Sequence, residues 1–327
     1  MRKKIAFISP VWEWWPKVLY RDLVKLLNEK YPEYEYFLVS SAKEWILLHF
    51  FNNKYDLIIS SVPFFWKPFN CKYIIQHHWL YRNDRWFTSI SKILCWFYPY
   101  NNLFSKILLY PSEFLKKYYN SKHKNQQVIL NFSTFPIVKN EIKSLVDKDE
   151  INLLTITWFS FYDKAKGLLD IFGKLENISI NKNFNFYICW DWKYLDEIKG
   201  KLKNYNIPKN IKIIFLWKLN KDELLEILKK SDIFLYSTFQ DTFAISIIEA
   251  MSFWLPIILN NYELFSELYD SEFISKDNND FVEKLYKLIN DEEYYKNYLN
   301  KWFNNLEKFD KEQIVKKWYK IIKEQIN

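Results

Sequence analysis

Asp241 and Glu249 stand eight residues apart in the stretch SDIFLYSTFQDTFAISIIEAMSFWLP, residues 231–256. A short apolar run passes there into a polar loop and then into a helical pattern, which brings the amides of Thr242, Phe243, Ala244 and Ile245 to a helix N-terminus. The orphan N–H groups and the dipole of such an end suit a phosphate. Asp241 lies in the loop and Glu249 on the helix, so two carboxylates accompany the site. A Glu on a helix is ordinarily a solvated side chain; its setting singles Glu249 out. Two adjacent histidines, His77 and His78, follow the strand-like run 72–76 and read either as strand-end caps or as site residues.

Glycine, which lets a backbone come close to phosphate, is nearly missing: the chain has 3 Gly and 15 Trp, where about 7% Gly, roughly twenty residues, is usual. The Trp occupy the glycine positions. Trp12, Trp14 and Trp15 fill the turn between the apolar run 5–8 and the helical pattern 18–30, with Pro16 placed as at a first helical position. Trp158, Trp190, Trp192 and Trp217 sit at the ends of strand-like runs, and Trp254 stands between a helix and a strand, where a helix stop takes glycine in the left-handed region. Overpacking costs about 1–3 kcal/mol per site. These eight positions are therefore expected to be glycines, encoded by UGA in a gene of unusual code and written as Trp. A bias toward Lys, Asn, Ile, Tyr and Phe, with only four Arg, agrees with an AT-rich genome. The alternative is that the Trp are genuine, as interface or sugar-stacking aromatics. Trp318, inside the helical run 313–322, reads as a true Trp; Trp45, Trp66, Trp79, Trp86, Trp96 and Trp302 carry no assignment.

These residues need a scaffold of alternating strands and helices. The first half shows strand-like runs at 4–8, 34–39, 57–60, 72–76, 107–110 and 128–130, with helical patterns at 18–30, 42–51 and 112–120. Short apolar strands separated by helices predict a parallel, doubly wound sheet. A polar stretch, 139–150, reads as a linker, and the pattern restarts with strands at 151–157, 184–189, 211–216, 233–236 and 256–259. The expected division is a first domain at 1–138, the linker 139–150, a second domain at 151–300 and a C-terminal helix at 301–327 that packs back across the first domain.

Charge is divided unevenly: residues 1–150 hold 22 Lys and Arg against 13 Asp and Glu, residues 151–327 hold 25 against 26. An anionic partner is expected at the first half, as a phosphorylated acceptor or an anionic bilayer surface. Nucleic acid is disfavoured, since Arg is scarce and no recognition motif accompanies the charge. The aromatic stretch 86–110, with Lys92 and Lys106, reads as a buried helix pair or as a membrane-facing surface. Cys71, Cys95 and Cys189 are odd in number and widely spaced, which suggests neither a disulfide framework nor a zinc site. The N-terminal apolar run of four residues is too short for a signal segment, and no run reaches a membrane span. A cytoplasmic protein, or one peripheral at the inner membrane face, is expected.

The segment around Asp241, Glu249-Ala250-Met251, Trp254 and Pro256 resembles the signature of family 4 retaining glycosyltransferases: a carboxylate, seven residues, Glu, Ala-Met, Gly and Pro. With the glycines restored, Lys166-Gly167 is similar to that family's Lys-Gly motif, 187–198 to its GDG segment, 10–23 to its Gly-Gly loop, 110–119 to its serine-bearing turn, and Asn131 to the Asn before the linker. The resemblance implies an α/β GT-B fold, with two tandem Rossmann-like domains and the nucleotide-sugar cleft between them. It implies that Glu249 binds the donor ribose, that Asp241 orients the donor sugar, and that Lys166 neutralises the diphosphate. Trp14, Trp15 and Trp158, as glycines, would border the phosphates with Thr242, Phe243 and Ala244, and His78, or its neighbour His77, would face the transferred sugar. Asp at 241 replaces the more common Glu, and Phe159 stands where the family often has Arg, which leaves Lys164 or Lys166 to carry the phosphate charge.

The reaction so implied moves a sugar from a nucleotide sugar, with retention, to a cell-envelope glycan or lipid-linked acceptor, with no metal and no cofactor beyond the donor substrate. A GT-B nucleotide-sugar epimerase would share the donor pocket without an acceptor. A noncatalytic sugar-binding or membrane-surface protein would require genuine Trp. Two short matches are discounted: Asp147-Lys148-Asp149 has the form of a metal-binding DxD but falls in the charged linker, and Tyr162 to Lys166 has a dehydrogenase-like YxxxK form but directly follows a strand.

Overall fold

The computed structural model describes residues 2–9, 15–50, 54–64, 71–78, 89–138, 144–157, 162–189, 194–217 and 219–326, and of residues 15, 49, 50, 89–96 and 163 the backbone alone. Its strands are β1 (Lys3–Ile8), β2 (Tyr34–Val39), β3 (Leu57–Ser60), β4 (Lys72–Gln76), β5 (Leu108–Tyr110), β6 (Gln126–Val128), β7 (Glu150–Ile156), β8 (Asn183–Cys189), β9 (Ile211–Leu216), β10 (Ile233–Tyr236), β11 (Ile257–Asn260) and β12 (Ile274–Ser275). Its α-helices are α1 (Trp15–Lys30), α2 (Ala42–Phe50), α3 (Ser89–Phe104), α4 (Glu113–Tyr119), α5 (Tyr162–Leu175), α6 (Leu195–Leu202), α7 (Lys221–Lys230), α8 (Ile245–Ser252), α9 (Glu263–Leu268), α10 (Asn278–Asn290), α11 (Glu292–Leu306) and α12 (Lys311–Ile326). The chain forms two compact units, Met1–Thr134 with Phe309–Asn327, and Phe135–Lys308.

Each unit is built on a six-stranded sheet whose described pairings are all parallel. Parallel strands are covered on both faces, which is why β3, β10 and β11 are buried at every residue. In the first unit the order is β2-β1-β3-β4-β5-β6. Side chains alternate across the sheet: Ile5 and Phe7 of β1 face one core with Leu19, Tyr20 and Leu23 of α1 and Ile314, Trp318 and Ile322 of α12. Ala6 and Ile8 face the other, with Leu48 of α2, Tyr98 of α3 and Leu115 of α4. Trp318 is fully buried, edge-on to Phe7 at 5.8 Å and to Tyr20 at 6.5 Å.

In the second unit the order is β12-β11-β10-β7-β8-β9. The chain leaves β7 toward β8 on one side and β10 toward β11 on the other, so the order reverses between β7 and β10. The crevice beyond the carboxyl ends of two such strands is where open α/β sheets take their ligands. The loop after β7 leads to α5, and the loop after β10 leads to α8.

Several local expectations shift. β6 ends at Val128, two residues before the end of the apolar run 128–130: Gln126, Gln127 and Val128 pair with Leu108, Leu109 and Tyr110 of β5, and Ile129 adds a bond from its amide to the Tyr110 carbonyl at 2.9 Å. In the stretch Asp147-Lys148-Asp149 the Lys148 ammonium pairs with Asp232, and Lys182 donates to the carbonyls of Leu145, Val146 and Lys148. Tyr162 and Lys166 do lie together on a helix, α5, with the Lys166 ammonium 4.9 Å from the centre of the Tyr162 ring.

Candidate functional site

Two contacts fix α5 against the carboxyl end of β10. Gly167 packs so closely that a Cβ built on it would stand 1.8 Å from the Ser237 carbonyl oxygen. Asp170, one turn along α5, accepts a 2.6 Å hydrogen bond from the Ser237 hydroxyl and pairs with the Lys174 ammonium at 2.6 Å. The loop after β10 is held from below by Asn260 of β11, which accepts from the Thr238 amide at 3.1 Å and donates to its carbonyl at 2.9 Å. The Tyr262 hydroxyl bonds the Asp241 carbonyl at 3.2 Å.

Asp241 is the centre of this loop, 5% exposed. Its Oδ1 accepts from the amides of Thr242 (2.7 Å) and Phe243 (3.1 Å), and its Oδ2 accepts from the Tyr236 hydroxyl (2.7 Å) and pairs with Lys164 Nζ (2.9 Å). Burial opposes ionisation, but the Lys164 charge and hydrogen bond, Tyr236 and the Phe243 amide outweigh it and hold the carboxyl below its ordinary value. Burial, and then the Asp241 charge, push the Tyr236 phenol far up. The network is therefore a carboxylate, an ammonium and a neutral phenol.

α8 follows directly. Ala244 occupies its N-cap position without a side-chain cap, and seven of its eight residues are buried, Glu249 among them at 5% exposure. The helix ends in a Schellman turn: the Trp254 amide donates to Met251 and the Leu255 amide to Ala250, at 3.1 and 3.3 Å, with Trp254 at φ 61°.

The expected residues fall into distinct places. Asp241, Lys164, Thr242 and Phe243 are in one hydrogen-bonded group. The amides of Thr242 and Phe243, expected to face a phosphate, are instead taken by Asp241, as a short carboxylate side chain at a turn captures the next amides. Lys164 is the lysine set against Asp241; Lys166 is exposed. His78 belongs to the first unit, 7% exposed and edge-on to Tyr20 at 6.1 Å. His77 is fully buried, with Nε2 3.1 Å from Asn102 Oδ1. Burial lowers both imidazoles to about 3, and for His78 the neighbouring His77 adds to this. Trp14 and Trp158 lie outside the described residues, and of Trp15 only the backbone, at the start of α1, is described. Tyr236, Ser237 and Asn260 were not foreseen; their one signal is their place at or just beyond the ends of β10 and β11. Among the described residues, no group of three or more His, Cys, Asp or Glu is arranged to hold a metal ion.

Comparison with known proteins agrees with this architecture. The sequence profile described as glycosyl transferases group 1 matches residues 138–304, about half of the chain. The structure of HepE from Anabaena, solved with UDP and glucose, superposes with a TM-score of 0.73 at 12% identity, covering 99% of this chain and 100% of that one. A glycosyltransferase from Rickettsia africae gives 0.71 at 14% identity, covering 100% and 99%. Sucrose-phosphate synthase from Thermosynechococcus elongatus gives 0.71 at 14% identity, covering 99% of each chain. No curated protein matches by sequence.

Proposed function

The chain belongs to the glycosyl transferases group 1 family and has the GT-B fold, and we propose that it is a retaining family 4 enzyme moving a sugar from a nucleotide sugar to a cell-envelope glycan or lipid-linked acceptor. One observation carries this reading. Of 39 Asp and Glu, three are buried among the described residues, Asp232, Asp241 and Glu249, and the last two are the motif pair beside the switch point of the second sheet. A carboxylate is seldom kept from water without a task or a partner. Glu249 is assigned to the donor ribose, and Asp241 to the donor sugar and to the placement of Lys164. Lys166, or Lys164 in its place, meets the diphosphate, whose departure with the anomeric C–O electron pair needs cations or oriented amides. Ala244 lies at the α8 N-terminus, and His78, neutral at its lowered pKa, is assigned to the transferred sugar as a hydrogen-bonding group. The donor base is assigned as uracil because HepE has been solved with UDP and with UDP-glucose. The acceptor is assigned to the basic first unit at the inner membrane face. Neither a metal nor a cofactor enters the reaction.

The second part of the proposal concerns the tryptophans. Asn120 and Trp254 are the non-glycine residues with positive φ among those described. Asn tolerates the left-handed region, whereas for a bulky side chain it is an outlier. A tryptophan at the C′ position of a Schellman turn supports a glycine there, encoded by UGA. UGG codons at Trp14, Trp190 and Trp254, or a native protein whose peptide masses contain Trp at those places, would refute the recoding.

Calorimetry with UDP on two forms of the chain tests both parts. The form with glycine at positions 12, 14, 15, 158, 190, 192, 217 and 254 is expected to bind UDP, and the form as written is not. Tight binding by the written form defeats the recoding. Absence of binding by both folded forms defeats the donor site.

A further inference from the structure

Residues 57–138 contain ten Lys and Arg against two Asp and Glu, a net charge equal to the +8 of the whole chain. Everything outside this stretch is electrically balanced. Within the stretch, Lys116 pairs with Glu113 and Lys72 donates to the Ile326 carbonyl. Lys106, Lys117, Lys122 and Lys124 are exposed and make no ion pair among the described residues.

Three of these cations, Lys106, Lys122 and Lys124, adjoin an apolar ridge. On the last turns of α3, Leu103 is 77% exposed, Phe104 42% and Tyr100 38%, with the Tyr100 and Phe104 rings 4.9 Å apart. The helix cannot roll to hide them. Asn101, on its inner side, is 1% exposed, donates to the Phe64 and Phe97 carbonyls at 2.7 Å, and accepts from the Phe64 amide at 2.9 Å. The loop before β6 is fastened to the end of the ridge: the His123 ring joins the carbonyls of Asn125 (2.7 Å) and Ser105 (3.0 Å), and Asn125 donates to the Lys106 carbonyl (3.2 Å). Lys122 and Lys124, on either side of His123, are thereby held next to Lys106, two residues beyond Phe104.

We propose that this face docks on an anionic bilayer, with Tyr100, Leu103 and Phe104 entering the interface and Lys106, Lys122 and Lys124 meeting lipid phosphates. Exposed aromatic and leucine side chains flanked by lysines fit a surface that is apolar within and negative at its boundary. Nucleic acid would use the charge and leave the ridge in water, and a neutral apolar partner would leave the lysines unanswered. The docking would hold the enzyme where a lipid-linked acceptor is found, and for that purpose it rests on the transferase reading.

Sedimentation of the full chain, in the form with glycine at positions 12, 14, 15, 158, 190, 192, 217 and 254, with vesicles tests the face. Binding is expected to vesicles containing phosphatidylglycerol, to be absent with phosphatidylcholine alone, and to weaken as salt rises. Lys122→Glu with Lys124→Glu should weaken it roughly thirtyfold or more, about 1 kcal/mol per lysine. Leu103→Ser with Phe104→Ser should weaken it roughly tenfold. UDP binding by these variants should equal that of the parent chain. Equal binding to both vesicle types, no vesicle binding, or variants that bind like the parent would each overturn the docking face while leaving the donor site standing. Conversion of a dimer to a monomer by the serine changes, with no effect on vesicles, would assign the ridge to self-association and overturn it too. Intact vesicle binding without UDP binding would instead defeat the transferase reading alone.

Discussion

Asp241 accepts from the Thr242 and Phe243 amides and the Tyr236 hydroxyl, and among the described residues Lys164 supplies its compensating charge, with 20% of its side chain exposed. Removing one partner of such a pair leaves a buried charge uncompensated, a loss of about 3 kcal/mol. Lys164→Met is therefore expected to lower the unfolding free energy of the second unit by about 3 kcal/mol at pH 7. Adding Asp241→Asn, which keeps an oxygen for the Thr242 and Phe243 amides, should recover part of it. Denaturant unfolding of both variants checks this, and a Lys164→Met loss below about 0.5 kcal/mol would show that the pair is not a support. The pH sign follows from the lowered Asp241 pKa: its stabilisation is present above the ordinary carboxyl value and is lost as pH falls through the folded one. That acid-end loss should be absent in Lys164→Met. Lys164 and Lys166 are two residues apart on α5, so they point to different sides of the helix. The sequence put both beside the expected phosphate, and only the seating of α5 on β10 distinguishes them. Likewise, the pairing of Asp241 and Glu249 was legible as a motif, but the capture of the Thr242 and Phe243 amides was not, because it depends on the turn's dihedrals.

At the level of elements, the three written glycines have unequal duties. Gly167 lies against the Ser237 backbone, Gly173 has only the Tyr205 ring edge at 3.6 Å, and Gly200 has nothing within 4 Å. Ala is favoured over Gly in a helix by about 0.5–1 kcal/mol. Gly173→Ala and Gly200→Ala should each stabilise by about that amount, while Gly167→Ala should destabilise by about 3 kcal/mol or more, since backbone must move. Thermal melts of the three variants check the contrast; a neutral Gly167→Ala would mean that α5 does not sit this close to β10. At the end of α8, the left-handed conformation costs a side chain about 1–2 kcal/mol. Trp254 regains part of this by lying against Phe303 at 4.9 Å and Trp302 at 6.2 Å. Trp254→Gly is expected to raise the unfolding free energy by about 1 kcal/mol, and a lower melting temperature would count against glycine as the native residue. This turn could be foreseen because only Phe253, Trp254 and Leu255 separate α8 from Pro256 and the apolar strand, so the chain must reverse within them. The sheets were legible for a related reason: strands buried on both faces, such as β3 and β10, are continuous apolar runs. β6 was displaced because Gln126 and Gln127 carry no apolar strand signal in sequence, yet they pair with Leu108 and Leu109 of β5.

Across the whole molecule, the two units carry different acid sensitivities. The first unit buries two neutral imidazoles: His77 lies among the rings of Tyr98, Tyr110 and Tyr119 at 4.4 to 5.2 Å, and His78 beside Tyr20. Their pKa values, lowered from 6.5 to about 3, mean that the unfolded chain binds protons that the folded one refuses. Stability of this unit is therefore level above about pH 6.5 and falls as pH drops toward 3, by up to roughly 2.7 kcal/mol per pH unit when both sites differ fully. Of the second unit's buried carboxylates, Asp241 is in an ion pair with Lys164, and the loss it causes begins only below the ordinary carboxyl value, near 3.8. Heating at pH 7.5 and at pH 5 should thus separate two transitions, the acid-sensitive one belonging to residues up to Thr134 together with Phe309–Asn327. Deuterium exchange assigns them, with α1 and α12 opening together because Trp318, Phe7 and Tyr20 share one core. His77→Gln with His78→Gln will lower stability at pH 7.5 through lost ring packing, so the informative quantity is the slope against pH, which should flatten between pH 6.5 and 4. An unchanged slope would place the acid sensitivity elsewhere. It would also show that these histidines are solvated in the folded state, and so able to act as proton carriers at neutral pH instead of as neutral hydrogen-bonding groups.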